Sequence, residues 1–164
     1  MARTEPRPPA PRITGDGVRF GAVVAGFHRA LADRLLAGAR GRLTDSGLGA
    51  DALEVHWVPG AFELPLAAKT LAETGRFSAV LALGAVIRGE TPHFEYVSNI
   101  AAAGLSRVSL DTGVPCTFGV LTCDTMDQAE ARAGGSVGNA GEDAADAAVV
   151  MANLRADTAA TAGI

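Results

Sequence analysis

Apolar and polar positions alternate in blocks along this chain, and each change of pattern marks a change of predicted element. Val18 to Gly26 is a short apolar run, which predicts a strand. Phe27, Leu31, Leu35, Leu36, Ala39 and Leu43 then recur at helical spacing, with Arg and Asp on the other side. Leu53 to Val58 predicts a second strand, and Pro65 opens a helix that carries Ala68 and Leu71 and stops at Gly75. Ala79 to Ile87 is nearly continuous apolar sequence, as expected of a strand covered on both faces. Val97, Ile100, Ala101, Gly104, Leu105 and Val108 fall on one stripe of the next helix. Thr117 to Thr122 predicts a fourth strand. Thr125-Met126-Asp127-Gln128 then matches a capping box, starting a helix that ends near Gly134. The last helix places Ala144, Ala147, Ala148, Met151 and Leu154 on one stripe, with Glu142 and Asp143 suited to its positive end.

Four strands alternating with helices predict an α/β fold: a four-stranded parallel sheet with helices on both faces, three layers in all. No internal repeat interrupts the pattern. Residues 1–16, with Pro6, Pro8, Pro9 and Pro11, are expected to form a flexible or extended arm. Residues 17–155 form the single predicted domain, and 156–164 a frayed tail. In an open parallel sheet the site lies beyond the carboxyl ends of the strands. Those ends are marked here by Phe27, by Gly60-Ala61-Phe62-Glu63, by Gly89 to His93, and by Cys123-Asp124.

Composition narrows the class. A chain of 164 residues suits one domain with its own core, and a net charge of −4 with no Lys/Arg block argues against nucleic acid or an anionic membrane as partner. Arg29, Arg34, Arg40 and Arg42 are expected on the solvated face of their helix. The longest apolar runs are too short to span a bilayer. Met1 to Arg12 has no apolar stretch after it and so does not read as a secretory signal. Cys116 and Cys123 share one predicted strand. Their spacing of about 23 Å is beyond disulfide reach, and the odd separation puts them on opposite faces. They read as reduced thiols in or near the core, hence a cytoplasmic protein. His28, His56 and His93 are isolated and no Cys-x-x-Cys pair occurs, so no metal is expected.

The chemistry concentrates where the third strand meets the next helix, at Arg88-Gly89-Glu90-Thr91-Pro92-His93. Thr91 is a good N-cap, Pro92 suits the first helical position, and the free N–H groups of that turn suit an anion. Gly84 to Thr91 comes close to a nucleotide-binding P-loop. However, Glu90 stands where the phosphates need a lysine, and Gly84 lies inside a strand. A P-loop is rejected; a monophosphate held by Gly89–Thr91 is not. His93 reads either as an exposed histidine of a first turn or as an acid–base group. Phe62 and Glu63 read either as a buried plug with a helix-start carboxylate or as ligand contacts. Phe27 is either the first core residue of its helix or a site residue. Arg132 reads either as a solvated helix-end cation or as a bidentate phosphate ligand. Glu95 is solvated or orients His93, and His28 and His56 read as surface residues.

Four ordered segments at matching spacing are similar to the lumazine synthase family: Val58-Pro59-Gly60-Ala61-Phe62-Glu63-Leu64-Pro65, Gly84 to Val97, Phe118-Gly119-Val120-Leu121-Thr122, and Gln128 to Gly134. The resemblance runs from about Val18 to Leu154. It implies a flavodoxin-like fold assembled into homopentamers, in some members twelve pentamers in a 60-subunit shell. It implies condensation of 5-amino-6-(ribitylamino)uracil with 3,4-dihydroxy-2-butanone 4-phosphate to a lumazine, phosphate and water, a step of riboflavin biosynthesis that needs no cofactor.

Residue by residue, the resemblance makes Phe27 the ring that stacks on the pyrimidine. Ala61, Phe62 and Glu63 become the segment holding the ribityl chain, with Val86 and Ile87 adding backbone contacts. It makes Glu90 and Thr91 the phosphate-binding turn and His93 the acid–base group. Phe118 and Arg132 would reach the site from the neighbouring subunit, with Arg132 on the phosphate. Two positions depart from the family's pattern. His28 replaces the usual Asn, and Ala140 in Gly138-Asn139-Ala140-Gly141 replaces a lysine that lies near the bound substrate. The second departure keeps open a relative that binds flavin or lumazine without turnover, or one that serves as a scaffold.

Overall fold

The computed structural model describes residues 6 to 162. Its centre is a four-stranded, all-parallel sheet of β1 (Phe20–Ala25), β2 (Leu53–Val58), β3 (Ala79–Ile87) and β4 (Cys116–Cys123), in the order β2-β1-β3-β4. Successive side chains along a strand point to opposite faces, and the core divides accordingly. Phe20, Ala22, Val24, Leu81 and Leu83 pack under α1 (Arg29–Asp45) and the long final helix α5 (Ala140–Ala162). Val23, Ala25, Val80 and Ala82 pack under α2 (Leu64–Ala72) and α3 (His93–Thr112). Every residue of β1 is buried, as a strand covered on both faces requires. This is the flavodoxin-like, three-layer arrangement that the resemblance implies. Cys116 and Cys123 are free thiols facing opposite layers, and burial pushes both up from the ordinary thiol range.

Several expectations need correction. Phe27 lies before α1 and is exposed, so it is not the helix's first core residue. Thr91 does not cap α3: the helix begins at His93, Pro92 already holds helical dihedrals in the cap position, and no side chain supplies a cap bond. The stripe on α3 is narrower than the pattern suggested, because Ala101, Leu105 and Val108 are buried while Ile100 is exposed. The capping box before α4 (Met126–Arg132) is half formed. Thr125 accepts from the Gln128 amide at 3.2 Å, but the Gln128 side chain turns instead to the Asp124 N–H. A small antiparallel ribbon, β5 (Ala133–Gly135) with β6 (Gly138–Asn139), follows α4 and was not legible, being too short to show a period.

The buried face of α5 is rotated from the expected one. Ala144, Ala145, Ala148, Val149 and Ala152 are buried, whereas Ala147, Met151 and Leu154 are exposed. Small side chains win this face because α5 lies close on the sheet: a Cβ on Gly119 of β4 would sit 3.0 Å from the Ala144 Cβ. The helix also continues through 156–162, where Ala156, Ala159 and Ala160 favour it; residues 163 and 164 of the expected frayed tail lie outside the described residues.

Arg42 is not on a solvated face. It is almost buried, and its Nε and Nη2 donate to Asp146 of α5 at 2.6 and 2.9 Å, which raises its pKa. The described part of the arm makes long-range bonds to the domain; residues 1–5 lie outside the described residues. Arg7 meets Glu142, Asp143 and Asp146 at 2.7 to 3.0 Å, the Pro8 carbonyl accepts from Arg42 at 2.7 Å, and Ile13 N–H donates to the Ser46 carbonyl at 3.0 Å.

The junction of β6 and α5 lies close against α1. Asn139 is buried, donates to the Arg34 carbonyl of α1 at 3.0 Å and accepts from the Gly141 N–H at 2.8 Å. Gly138 has φ +119°, open to glycine alone, and a Cβ at Gly141 would collide with the Leu35 carbonyl of α1. Gly141→Ala should therefore destabilise by about 2 kcal/mol or more, the cost of overpacking against rigid backbone. Urea unfolding with an unchanged m-value checks this.

Candidate active site

β1 has β2 on one side and β3 on the other, so the turns leaving these three strands diverge and open a crevice. A cavity of about 550 Å³ fills it. Phe27 and His28 come from the end of β1, Pro59 to Glu63 from the turn into α2, Ala85 to Ile87 from the end of β3, and Gly89, Thr91, His93, Phe94 and Val97 from the turn into α3 and its first residues. Of the residues expected in a site, Phe27, Ala61, Phe62, Glu63, Val86, Ile87, Thr91 and His93 all line this one space.

The wall after β2 is shaped by Glu63. Its Oε2 accepts from the Gly60 N–H at 3.0 Å while its own N–H donates to the Gly60 carbonyl at 3.3 Å, closing a one-turn 3-10 helix. Ala61 and Leu64 are buried beneath this turn, which leaves Phe62 outward. Phe62 is 57% exposed and so is not a buried plug; Phe27 is 80% exposed. Two aromatic rings thus stand in water at the mouth of one apolar-floored cavity, the usual make-up of a small-molecule site.

The polar end is the turn from β3 to α3. Among the described residues, the N–H groups of Gly89, Glu90 and Thr91 have no protein partner, and the start of α3 adds its positive end. Thr91 and His93 are exposed to the cavity. Arg88 braces the turn: its N–H donates to the Cys123 carbonyl, its Nε to Asp124 at 2.7 Å, its Nη1 to Glu95 at 3.3 Å, and its guanidinium lies 4.3 Å from the centre of the Phe94 ring. Those hydrogen bonds, Asp124 first, raise its pKa. Glu95 thus serves the Arg88 brace, with no hydrogen bond to His93.

Three expected residues lie elsewhere. Glu90 is exposed outside the cavity lining. Phe118 is on the edge strand β4 and is 44% exposed. Arg132, at the end of α4, donates to the Gln128 carbonyl at 2.9 Å and lines a second cavity of about 510 Å³, shared with Arg7, residues 135–140 and Asp143. Ala140 lines that second cavity too.

His28 is a correction and an addition. It is half-buried in the first cavity rather than a free surface residue, and burial lowers its pKa. Its position next to Phe27 at a strand's carboxyl end was the available signal. Phe94 was also missed, though it adjoins His93. His56 is exposed on β2 as expected, beside Glu54, which Arg76 and then His56 hold down at about 2. Among the described residues, no group of three or more His, Cys, Asp or Glu side chains could hold a metal ion, and no helix is long and apolar enough to cross a membrane.

A crevice at the strand ends, an aromatic pair, a turn rich in free N–H groups and an imidazole thus belong to a stretch that the family model for 6,7-dimethyl-8-ribityllumazine synthase matches over residues 17–156, and the chain is a member of that family.

Proposed function

We propose that this protein condenses 5-amino-6-(ribitylamino)uracil with 3,4-dihydroxy-2-butanone 4-phosphate to 6,7-dimethyl-8-ribityllumazine, inorganic phosphate and water. The observation that carries the reading is the single cavity that unites Phe27, Phe62, Glu63, Thr91 and His93. Family membership supports the same class of chemistry.

The reaction needs two reactants held together and protons moved between them. The uracil's 5-amino nitrogen attacks the ketone carbonyl, and water leaves to give an imine. Loss of a proton from the neighbouring hydroxyl-bearing carbon expels phosphate from the next carbon, the resulting enol becomes a ketone, and the ribitylamino nitrogen attacks that carbonyl to close the second ring with loss of water. Holding two reactants side by side replaces a costly encounter, which accounts for much of the rate. In this reading Phe27 stacks on the pyrimidine, Ala61, Phe62 and Glu63 hold the ribityl chain, and Val86 and Ile87 contact the ring through backbone. The free oxygen of Glu63 is the one left after its other oxygen has closed the Gly60 turn. His93 takes and returns protons, and the Gly89–Thr91 N–H groups with the Thr91 hydroxyl hold phosphate, next to Glu90.

Arg132 and Phe118 lie outside this cavity in their own chain, which suits delivery from a second copy. Exposed apolar side chains on α3 (Tyr96, Ile100) and α5 (Val150, Met151, Leu154) suit self-association. We therefore read the working unit as a homopentamer at least, with sites between subunits. A second reading rests on Ala140: the second cavity has no cation at this position, which favours weaker substrate binding than in a lysine-bearing relative.

The first test mixes the purified protein with both substrates and follows lumazine formation above the spontaneous rate; no acceleration by an assembled protein overturns the enzyme reading. His93→Ala should lower kcat by roughly 100-fold or more with little change in either KM. Arg132→Ala should raise the KM for the butanone phosphate roughly 10- to 100-fold and leave that for the uracil nearly unchanged. If sites lie between subunits, dissociating and reassembling the His93→Ala and Arg132→Ala proteins together should restore activity, with about one site in four intact by random assortment. Activity no greater than the sum of the two separate variants would place both residues in one chain's site. Ala140→Lys should lower the apparent KM of at least one substrate, and steady-state kinetics of the variant read this directly.

A further inference from the structure

The turn between β1 and α1 stands in the middle of the cavity mouth, flanked by the turn after β2 and the turn after β3. It presents two neighbouring side chains, Phe27 and His28. We propose that His28 is a specificity-determining residue of this site, exchanging a hydrogen bond with the polar edge of the heterocycle that lies against Phe27. The inference rests on reading the cavity as a pyrimidine site, and it assigns a role to a side chain that this reading leaves unused.

Four observations support it. First, His28 occupies the cap position of α1, yet its side chain makes no cap bond, and its carbonyl alone serves the helix by accepting from the Ala32 N–H at 3.0 Å. The imidazole is therefore not engaged in ending the helix. Second, among the described residues neither ring nitrogen has a hydrogen-bond partner, although the side chain is half-buried and lines the cavity. A half-buried polar ring without a protein partner is open to a ligand. Third, it lies against the Phe27 ring. The ring stands edge-on to Phe27, with centroids 5.0 Å apart and planes at 81°. A ring stacked flat on Phe27 would have its rim, where its polar atoms lie, beside the imidazole.

Fourth, burial favours the neutral imidazole. Burial lowers its pKa, and the titratable groups that share its cavity are Glu63 and His93. The nearest cation on its own helix, Arg29, is turned away: it lies 3.6 Å over the Trp57 ring and donates to Asp33 at 3.1 Å. A neutral imidazole offers one donor and one acceptor. That pair matches a ring rim on which carbonyl oxygens alternate with N–H groups. A phosphorylated ketone has no such rim, so the contact discriminates between the two substrates.

Titration calorimetry of the full-length protein with 5-amino-6-(ribitylamino)uracil alone tests this, with steady-state kinetics alongside. His28→Ala should weaken uracil binding by roughly 3- to 10-fold, the loss of one hydrogen bond. It should raise the KM for the uracil and leave the KM for the butanone phosphate in place. His28→Gln, which keeps a donor and an acceptor, should recover most of the loss. Equal affinity for the uracil in wild type and His28→Ala overturns the proposal, as does an equal rise in both KM values that glutamine does not rescue. Failure of the wild-type protein to bind the uracil at all would instead overturn the pyrimidine reading of the cavity, and this inference with it.

Discussion

The structure depends on one constraint: β1 is an interior strand with parallel neighbours on both sides and helices on both faces. Its backbone must pair left and right, and its side chains must be apolar throughout. The chain leaving β1 can return to β2 only across one face, and the chain leaving β2 must cross the other face to reach β3. The α1 crossover and the α2 crossover therefore part above β1. That parting is the cavity. The residues at its rim are whatever the sequence places in the first few positions after each strand.

Apolar side chains are divided between stability and recognition. The buried core is built almost wholly from Ala, Val and Leu, with Phe20 and Phe77 as its buried rings. Phe27, Phe62 and Phe94 line the cavity instead, the first two largely exposed. Of the few aromatic residues in the sequence, three stand at this one mouth: Phe94 also packs against the core, while Phe27 and Phe62 are left in water. Rings left in water gain most from a flat partner. The Arg88 brace belongs to the same division of labour. It ties the turn bearing Thr91 and His93 to Asp124 at the end of β4, so the polar end is held by charge while the floor is held by apolar contact.

Much of this was legible because the sheet is doubly covered. β3 falls where its continuous apolar run predicted, and β2, an edge strand that carries Glu54 and His56, also falls at the predicted Leu53–Val58. The strand ends marked Phe27, Ala61 to Glu63, Thr91 and His93, while Val86 and Ile87 came from the resemblance; all of them line one cavity. What failed were readings in which two faces of a helix were equally apolar. On α5, alanine stands all round, and the larger Met151 and Leu154 drew the predicted stripe. Close packing on Gly119 selected the smaller side chains instead, and nothing local in the sequence announces that distance. Arg42 misled for a related reason. Its partner, Asp146, is about a hundred positions away, so its burial follows from how α1 meets α5 rather than from its own neighbours. The His28 reading failed by treating each histidine singly, when its place beside Phe27 after a strand was the informative fact.

The segment Gly138-Asn139-Ala140-Gly141 shows where such a fold can vary. Gly138 is fixed by its positive φ, Asn139 by its bonds to Arg34 and Gly141, and Gly141 by the Leu35 carbonyl against it. Residue 140 carries none of these demands, and with Gly138 and Asn139 it lines the second cavity beside Arg132. A change there alters the charge of that cavity without disturbing the junction of α1 and α5. Arg7 brings a guanidinium to the same cavity, but Glu142 and Asp146 among others answer its charge. Arg132 has no carboxylate partner among the described residues and gives one N–H to a carbonyl. In the proposed reading a cation at residue 140 bears on substrate binding, while the contacts that hold this junction belong to its neighbours, so chemistry and stability here rest on different residues.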